Sequence, residues 1–509
     1  MITSFSRLLP LHVPIRRLTS HYSPKLCWST RATLGKAHQP AVRANYHKDS
    51  ASGPVILEYP FTYILLIIRK EVKLDAHNPL SVGIDIGRSK ADYCLMLPNG
   101  QPVIAHCSLD NSMQGFQEAH QLILNTLKSG KFDGVKFAIE ATSYYWLPLF
   151  TQLYLDEALL PYQPQLTLLN AGWVSWFKKS FSPDHKTDQR DPFYIADRIR
   201  TLSQPISWHY DPHWLKLRLL TRSHFHLVDS MVREKNFYQL HLFLAYSSYT
   251  TSHAFSDPFG KLSQYLLSHP ELLEEFAELP LRELAQELND LSYRPLKKPA
   301  ETAFRLRESL HKSYPVLPDL EETLHTILSS FSTVIKNIKS EISFIDKQIS
   351  NLVAQDYPEV DLLRSIPGIG PVFSSGIAAE IGDIQRFFDP PKWDKKLNSY
   401  RRRNCRDAED AIAKQAGLWW PKRSSGNFTA EEHPMSKKGN AYLRYYFIEA
   451  ADRMRQSIPA YRNFYDKKFA EASKHHHKRA VVLSGRKAIG LVVGLLFHHQ
   501  VYKPEEVHP

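Results

Sequence analysis

Cysteine is scarce in this chain: 509 residues carry four, Cys27, Cys94, Cys107 and Cys405, and no two form a CxxC pair. Scattered single cysteines build neither a disulfide framework nor a structural zinc site, and they point to a reducing compartment, the cytoplasm. Long apolar runs are missing too. A membrane-spanning helix needs roughly 20 consecutive apolar residues. The two strongest runs, from Tyr63 to Ile68 and from Ala488 to Phe497, read as a strand-length segment and a buried helix. No membrane partner is expected. Acidic residues are absent before Asp49, while Arg, Ser, Thr and Pro are common there. Residues 1–79 resemble a transit peptide in composition, but the favoured readings are leader translated upstream of the true start or a disordered basic arm. They are kept out of the fold argument. There is also no GxxxxGK[ST] phosphate loop, so phosphoryl chemistry here does not draw on that nucleotide-binding device.

What the chain has is an excess of base. Lys and Arg number 64 against 52 Asp and Glu, a net charge of +12. Over so long a chain this favours a polyanionic partner, nucleic acid before membrane. Hydrophobic residues at 43% and charged residues at 23% are ordinary for a globular protein long enough for two to four domains.

The chain is organised around Ser81-Val-Gly-Ile-Asp-Ile-Gly-Arg-Ser-Lys90. Val82, Ile84 and Ile86 alternate with Gly83, Asp85 and Gly87, the period of a buried strand, so Asp85 lies opposite the apolar face. The two glycines leave that face unobstructed, and an aspartate between them needs a cation, a metal or a proton partner; the plainer reading is a surface Asp on an edge strand. A second strand follows at 92–97, a Pro98-Asn-Gly100 turn, a third strand from Pro102, a helix at 115–127, a fourth strand from Val135 ending in Glu140, a helix at 145–155 and a fifth strand at 166–170. Hairpin strands followed by alternating helix and strand predict a mixed sheet covered by helices, an order that resembles the ribonuclease-H-like fold. Asp188 and Asp191 follow, three apart and on one face if helical. Pro192 suits a helix first turn, so Asp191 also reads as an N-cap. Asp197 reads as a surface partner of Arg198.

Further along, 215–245 is an arginine-bearing helix and 250–315 an irregular helical insert. Apolar residues from Leu324 to Leu352 then recur by threes and fours, a coiled-coil seam that joins protomers or packs on its own domain. Ser365-Ile-Pro-Gly-Ile-Gly-Pro371 looks like a helix-hairpin-helix, in which backbone N–H groups around Gly368 and Gly370 hold a DNA phosphate; it reads also as a plain tight turn. The run from Arg401 to Arg406 suits phosphate contact or solvated surface. Ser424-Ser425-Gly426 lies among Lys422, Arg423, Lys437, Lys438 and Arg444, so a serine nucleophile would have cations to offset charge on an attacked phosphate. Alone, such a loop is commonly just flexible.

Together, Asp85, Glu140 and the Asp188/Asp191 pair make a DEDD set, followed by the seam, PGIGP and an SSG…SKKGNAYLR run. This resembles the DEDD-type insertion-sequence transposases that include the Piv-like DNA invertases and bridge-RNA-guided recombinases. The motifs stand in the family's order from about Val82 to Tyr502, and the His475–Lys487 tail looks like the family's C-terminal end. Pro192, the charged stretch from Pro390 to Ala413 and the leader depart from the family's pattern.

The resemblance implies a RuvC-like metal site at Asp85, Glu140, Asp188 and Asp191, taking Mg²⁺ with two ions possible, and Ser425 as nucleophile with Ser424 beside it. It implies contacts to nucleic acid from Gly368, Gly370, Lys422, Arg423, Lys437, Lys438 and Arg444. Expected partners are DNA, a structured guide RNA and further copies of the chain, as dimer or tetramer, in a nucleoid-associated protein. The expected layout is a leader at 1–79, a RuvC-like domain at 80–205, a helical region with coiled coil at 206–355 and a mostly helical transposase domain at 356–509. The rival readings are a RuvC-like metal nuclease or junction resolvase using the carboxylates alone, and an inactive nucleic-acid-binding copy.

Overall fold

The computed structural model describes residues 78–130, 132–140, 144–169, 174–175, 177–178, 190–201, 211–389, 391–394, 396–421, 424–425, 428–429 and 434–504, with backbone alone at 212, 424, 425, 428 and 429. The leader, except its last two residues, and Asp188, Lys422 and Arg423 lie outside them. The chain divides into two compact units, one ending at Tyr210 and the other beginning at Asp211.

The first unit holds a five-stranded sheet of β1 (Pro79–Ile86), β2 (Lys90–Met96), β3 (Pro102–Asp110), β4 (Gly134–Glu140) and β5 (Gln165–Leu169), in the order β3-β2-β1-β4-β5. β1, β2 and β3 are antiparallel neighbours, whereas β4 and β5 run parallel to β1. The β2–β3 turn closes where Gly100 N–H donates to Leu97 O at 3.0 Å, with Gly100 at φ 91°, a conformation glycine adopts without strain. On one sheet face Val82, Ile84 and Ile86 are buried with Phe137 and Ile139 against α1 (Met113–Ser129) and α2 (Trp146–Leu155), through Ile123, Leu127, Trp146 and Phe150. The other face takes α3 (Asp191–Thr201), whose Ile195 and Ile199 pack with Ala138 and whose Ala196 packs with Cys94 and Met96.

Gly83 is what lets α3 lie down there. A Cβ at this position would meet Pro192 O at 2.2 Å and Ala196 N at 2.3 Å. The face expected to be unobstructed is therefore filled by a helix, and the glycine serves its close approach. Asp197 also departs from expectation. It is 7% exposed and accepts from Arg200 Nε at 2.8 Å, not from Arg198, while Arg200 also donates to Pro98 O. That ion pair ties α3 to the hairpin turn.

In the second unit α4 (Pro212–Ala245) packs along a later helix of 39 residues, Pro318–Asp356. Between them come α5 (Lys261–Leu267), α6 (Pro270–Glu278), α7 (Leu281–Asp290) and α8 (Pro299–His311), so the long helix is α9. These helices close over a core of Tyr238, Leu242, Leu266, Phe276, Leu284, Leu306, Leu324 and Leu328. Part of the apolar seam of α9 finds its cover in the same chain, Leu324 and Phe331 in this core and Ile349 in the next, while Val334 is 39% exposed. A second core joins α10 (Pro358–Arg364), α11 (Pro371–Ile381), α12 (Cys405–Ala416), α13 (Ala441–Ser457), α14 (Pro459–Ala470) and α15 (His476–His498). Trp214, Leu217 and Ile349 belong to it, so the first turns of α4 and the last turns of α9 are built into the C-terminal core. Two short hairpins complete the unit, β6 (Lys392–Asp394) with β7 (Ser399–Arg401) and β8 (Ser424–Ser425) with β9 (Phe428–Thr429).

Among the described residues α15 alone has the length and composition to cross a membrane. It packs instead as a core helix, with Ser484, Ala488, Ile489, Val492, Val493 and Leu496 buried. The α9 packing makes a stability prediction. Ile349→Ala, at a site 1% exposed, is expected to cost about 2–5 kcal/mol in urea unfolding. Val334→Ala, on the exposed flank of the same helix at 39%, is expected to stay within about 0.5 kcal/mol. Equal effects would mean that the buried seam is not the one described.

Candidate active site

Two strands and one helix N-terminus bring carboxylates together. In the parallel register of β1 and β4, Gly83 stands beside Ala138 and Ile84 beside Ile139. The next positions are Asp85 and Glu140, which therefore share the sheet face that α3 covers. α3 begins at Asp191, and its seat on Gly83 sets that first turn over the ends of the strands. Asp92, paired with Asp85 across β1 and β2, adds a further negative charge on the same face.

Lys178 sits at the centre. Its Nζ is 2.7 Å from Asp191 Oδ2 and 3.4 Å from Glu140 Oε2, with the partners largely shielded from solvent. Burial works against the ammonium, but the hydrogen bond to Asp191 and the charges of Glu140, Asp191 and Asp85 outweigh it and hold its pKa above the usual value. Among the described residues Asp85 has no such direct partner. Its own burial, then the charge of Asp191, push its carboxyl up to about 6, against the opposing pull of Lys178. These acids interact strongly enough to need a cation, and a lysine supplies one. Lys178 was not foreseen from the sequence: it follows a strand end without periodic pattern, and no motif marks it. Asp92 was read there only as part of a strand.

The serine stretch lies in the other unit. Ser424 pairs with Thr429 and Ser425 with Phe428 in an antiparallel hairpin. Lys437 and Lys438, further along the chain, are exposed. Arg444 corrects the expectation of a nucleic-acid contact. It is 7% exposed, and its Nη1 donates to Ala416 O and Lys437 O, both at 3.0 Å. The guanidinium braces the loop and is spent inside the protein. The two glycines of PGIGP divide similarly. Gly368, at φ 92°, is pressed on α13, where a Cβ would come within 2.8 Å of the Arg453 backbone; Gly370 caps α11 and has open space around it. Of the basic run, Arg401 turns inward to Asp394 at 2.8 Å and Asp407 at 2.7 Å.

Comparison with known families gives two matches. A transposase model of the DEDD type named for IS110 covers residues 82–246, and a model described as transposase IS116/IS110/IS902 family covers 360–395 and 401–466. The chain belongs to the IS110 family of DEDD transposases. A Streptomyces clavuligerus protein described as the insertion element IS116 uncharacterized 44.8 kDa protein is 21% identical over 430 residues, which is 84% of this chain and 97% of that protein. The mixed five-stranded sheet agrees with a ribonuclease-H-like DEDD domain. Transposases of this kind bind, cleave and recombine DNA.

DEDD transposases usually use a divalent metal. As placed, no three His, Cys, Asp or Glu side chains among the described residues close around one point. The chemistry of the donors nevertheless fits such an ion. They are all carboxylate oxygens, the ligands that Mg²⁺ prefers. Burial first, and then the charge of Asp191, raise the Asp85 pKa, and the Lys178 ammonium already lies where positive charge is favoured.

Proposed function

We propose that this transposase is the recombinase of its insertion sequence, joining a carboxylate metal site to a serine nucleophile and guided by a structured RNA. What supports the metal half of this reading is the Lys178 cation held between Glu140 and Asp191, with Asp85 near enough to feel their charges. Asp85, Glu140 and Asp191, with Asp188, would hold Mg²⁺, one ion or two, with Lys178 giving way. Bound there, the ion supplies charge to polarise a phosphate oxygen and to lower the pKa of an attacking or leaving group.

The protein's own part is to fix the carboxylates on the sheet, exclude bulk water with α3 and present Ser425. In the step proposed, a serine Oγ–P bond forms as one backbone P–O bond of the DNA breaks. The serine proton passes to a base, and the released sugar oxygen takes one up. The phosphodiester energy stays in the adduct, so resealing to another strand needs no ATP. Residues 80–205 act as the catalytic unit and 356–509 as the part that carries the serine. Lys437 and Lys438, with Lys422 and Arg423, are the proposed phosphate contacts, together with the α11 N-terminus at Gly370.

A denaturing gel of protein mixed with element-end DNA, RNA and Mg²⁺ tests this reading. A covalent adduct is expected; cleavage without any adduct would favour the metal-nuclease reading, and binding without cleavage the inactive copy. Affinity for both nucleic acids is also expected to fall steeply with salt, log K dropping by about 0.9 per log unit of salt for each DNA phosphate neutralised. A flat response between 50 and 200 mM, roughly the range over which counterion release is large, would contradict an electrostatic interface built on the +12 charge.

A further inference from the structure

The loop that carries Ser424 and Ser425 leaves the core at Leu418 and returns at Met435, and its base is unusually well held. Ser436 N–H donates to Trp419 O at 2.9 Å, and Asn440 N–H to Gln415 O at 2.6 Å, so the outgoing and returning segments are stitched together. The single Arg444 guanidinium bonds a carbonyl on each, Ala416 and Lys437. Glycine permits this closeness: a Cβ on Gly439, at φ 132°, would meet Gln415 O at 2.3 Å, and one on Gly417, at φ 69°, would meet Lys438 O at 2.8 Å. Asn440 then links the stem to the core. Its Oδ1 accepts from Leu443 N–H to cap α13, and its Nδ2 donates to Glu380 Oε2 at 2.6 Å. Glu380 is 1% exposed, at the end of α11, and also accepts from Arg222 of α4 at 2.6 and 2.8 Å.

A buried charge held from three sides contributes little net stability compared with an apolar replacement. What it does contribute is one allowed arrangement of the parts it joins. We propose that Asn440 and Glu380 are positioning residues for the serine hairpin: they set the register of its stem on α4, α11 and α13, and so fix where the candidate nucleophile and Lys437/Lys438 stand. This rests on the serine reading above. Neither residue touches the reacting atoms; Asn440 lies in the SKKGNAYLR run, and Glu380 lies in no motif read from the sequence.

Asn440→Asp isolates the effect. Aspartate keeps the helix-capping acceptor but replaces the amide donor facing Glu380 with a second carboxylate, while Arg218, Arg222, Arg386 and the Tyr446 hydroxyl remain around it. Three readings are taken on the full chain: hydrogen exchange at the Ser436 and Asn440 amides, the dissociation constant for element-end DNA, and the first-order rate of adduct formation. The expected result is exchange at least about tenfold faster at both amides, unchanged DNA affinity, and an adduct rate lower by roughly 10–100-fold, the size of loss that about 1 Å of misplacement brings. Asn440→Ser, which caps the helix but is too short for Glu380, is expected to behave alike.

Unchanged exchange would show that Asn440 does not hold the stem. Faster exchange with a wild-type adduct rate would show that the stem does not position the chemistry. A parallel loss of DNA affinity and melting temperature in both variants would reduce the network to a folding role. Each overturns the proposal. A wild-type protein that forms no adduct overturns the serine reading instead, and the exchange measurement still reads the stem by itself.

Discussion

Asp85→Asn is expected to remove metal-dependent DNA cleavage, by roughly 10³-fold or more, and at the same time to raise the melting temperature of the metal-free protein at pH 7. The first effect follows from losing one oxygen ligand and one charge at a site where a metal supplies several kcal/mol of transition-state stabilisation. The second follows from the sign of the Asp85 shift. Its folded pKa of about 6 lies above the ordinary value of 3.8, so the folded protein binds this proton more tightly than the unfolded chain. The associated stability is full below about pH 4 and is lost as pH rises through about 6. Asparagine is neutral throughout and escapes that loss. Added Mg²⁺ should raise the melting temperature of the wild type and do so less in the variant. Lys178→Met should act in the opposite direction on the metal-free protein, lowering its melting temperature and enlarging the increment from Mg²⁺, because the internal cation is gone. The carboxylate reading is sunk if Asp85→Asn cleaves DNA at the wild-type rate, or if Mg²⁺ stabilises the two proteins equally.

The sheet was legible because its signals are local. The alternation from Val82 to Ile86 and the turn at Pro98–Gly100 specify faces and hairpins without knowledge of the rest of the chain, and β1 to β5 formed where expected. Asp85 and Glu140 were legible for the same reason, since each ends a strand and parallel register makes them neighbours. What was hidden depends on packing between distant segments. Gly83 reads as an open face until α3 is laid on it. Asp197 reads as a partner of its neighbour Arg198, but helical geometry gives it to Arg200, three residues on. Apolar periodicity in α9 states that a face must be covered and is silent on the cover, which at Leu324, Phe331 and Ile349 is the same chain. Arg444 reads as one more cation in a basic loop, and only the folded stem shows its donors used on carbonyls. Lys178 carries no pattern at all; its meaning lies entirely in the acids around it.

Ser425→Ala is expected to bind DNA and RNA as the wild type does and to form no covalent adduct, a loss limited only by detection. A serine hydroxyl is a weak nucleophile that needs a base, a cation or stabilised developing charge. The hairpin of Ser424–Ser425 with Phe428–Thr429 supplies a defined backbone, and the exposed Lys437 and Lys438 are the cations proposed to meet phosphate charge. Ser424→Ala is expected to retain part of the adduct, because its neighbour keeps the nucleophilic oxygen. Adduct that persists in Ser425→Ala and vanishes in Ser424→Ala would move the assignment by one residue within the same mechanism. If the double variant still recombines DNA, the hydroxyls are dispensable. The carboxylates at Asp85, Glu140 and Asp191 must then do the chemistry alone, with water or a sugar hydroxyl attacking in place of serine. The comparison with Asp85→Asn separates these cases, since a serine mechanism predicts that each variant alone abolishes strand exchange while only the serine variant leaves the metal-induced rise in melting temperature intact.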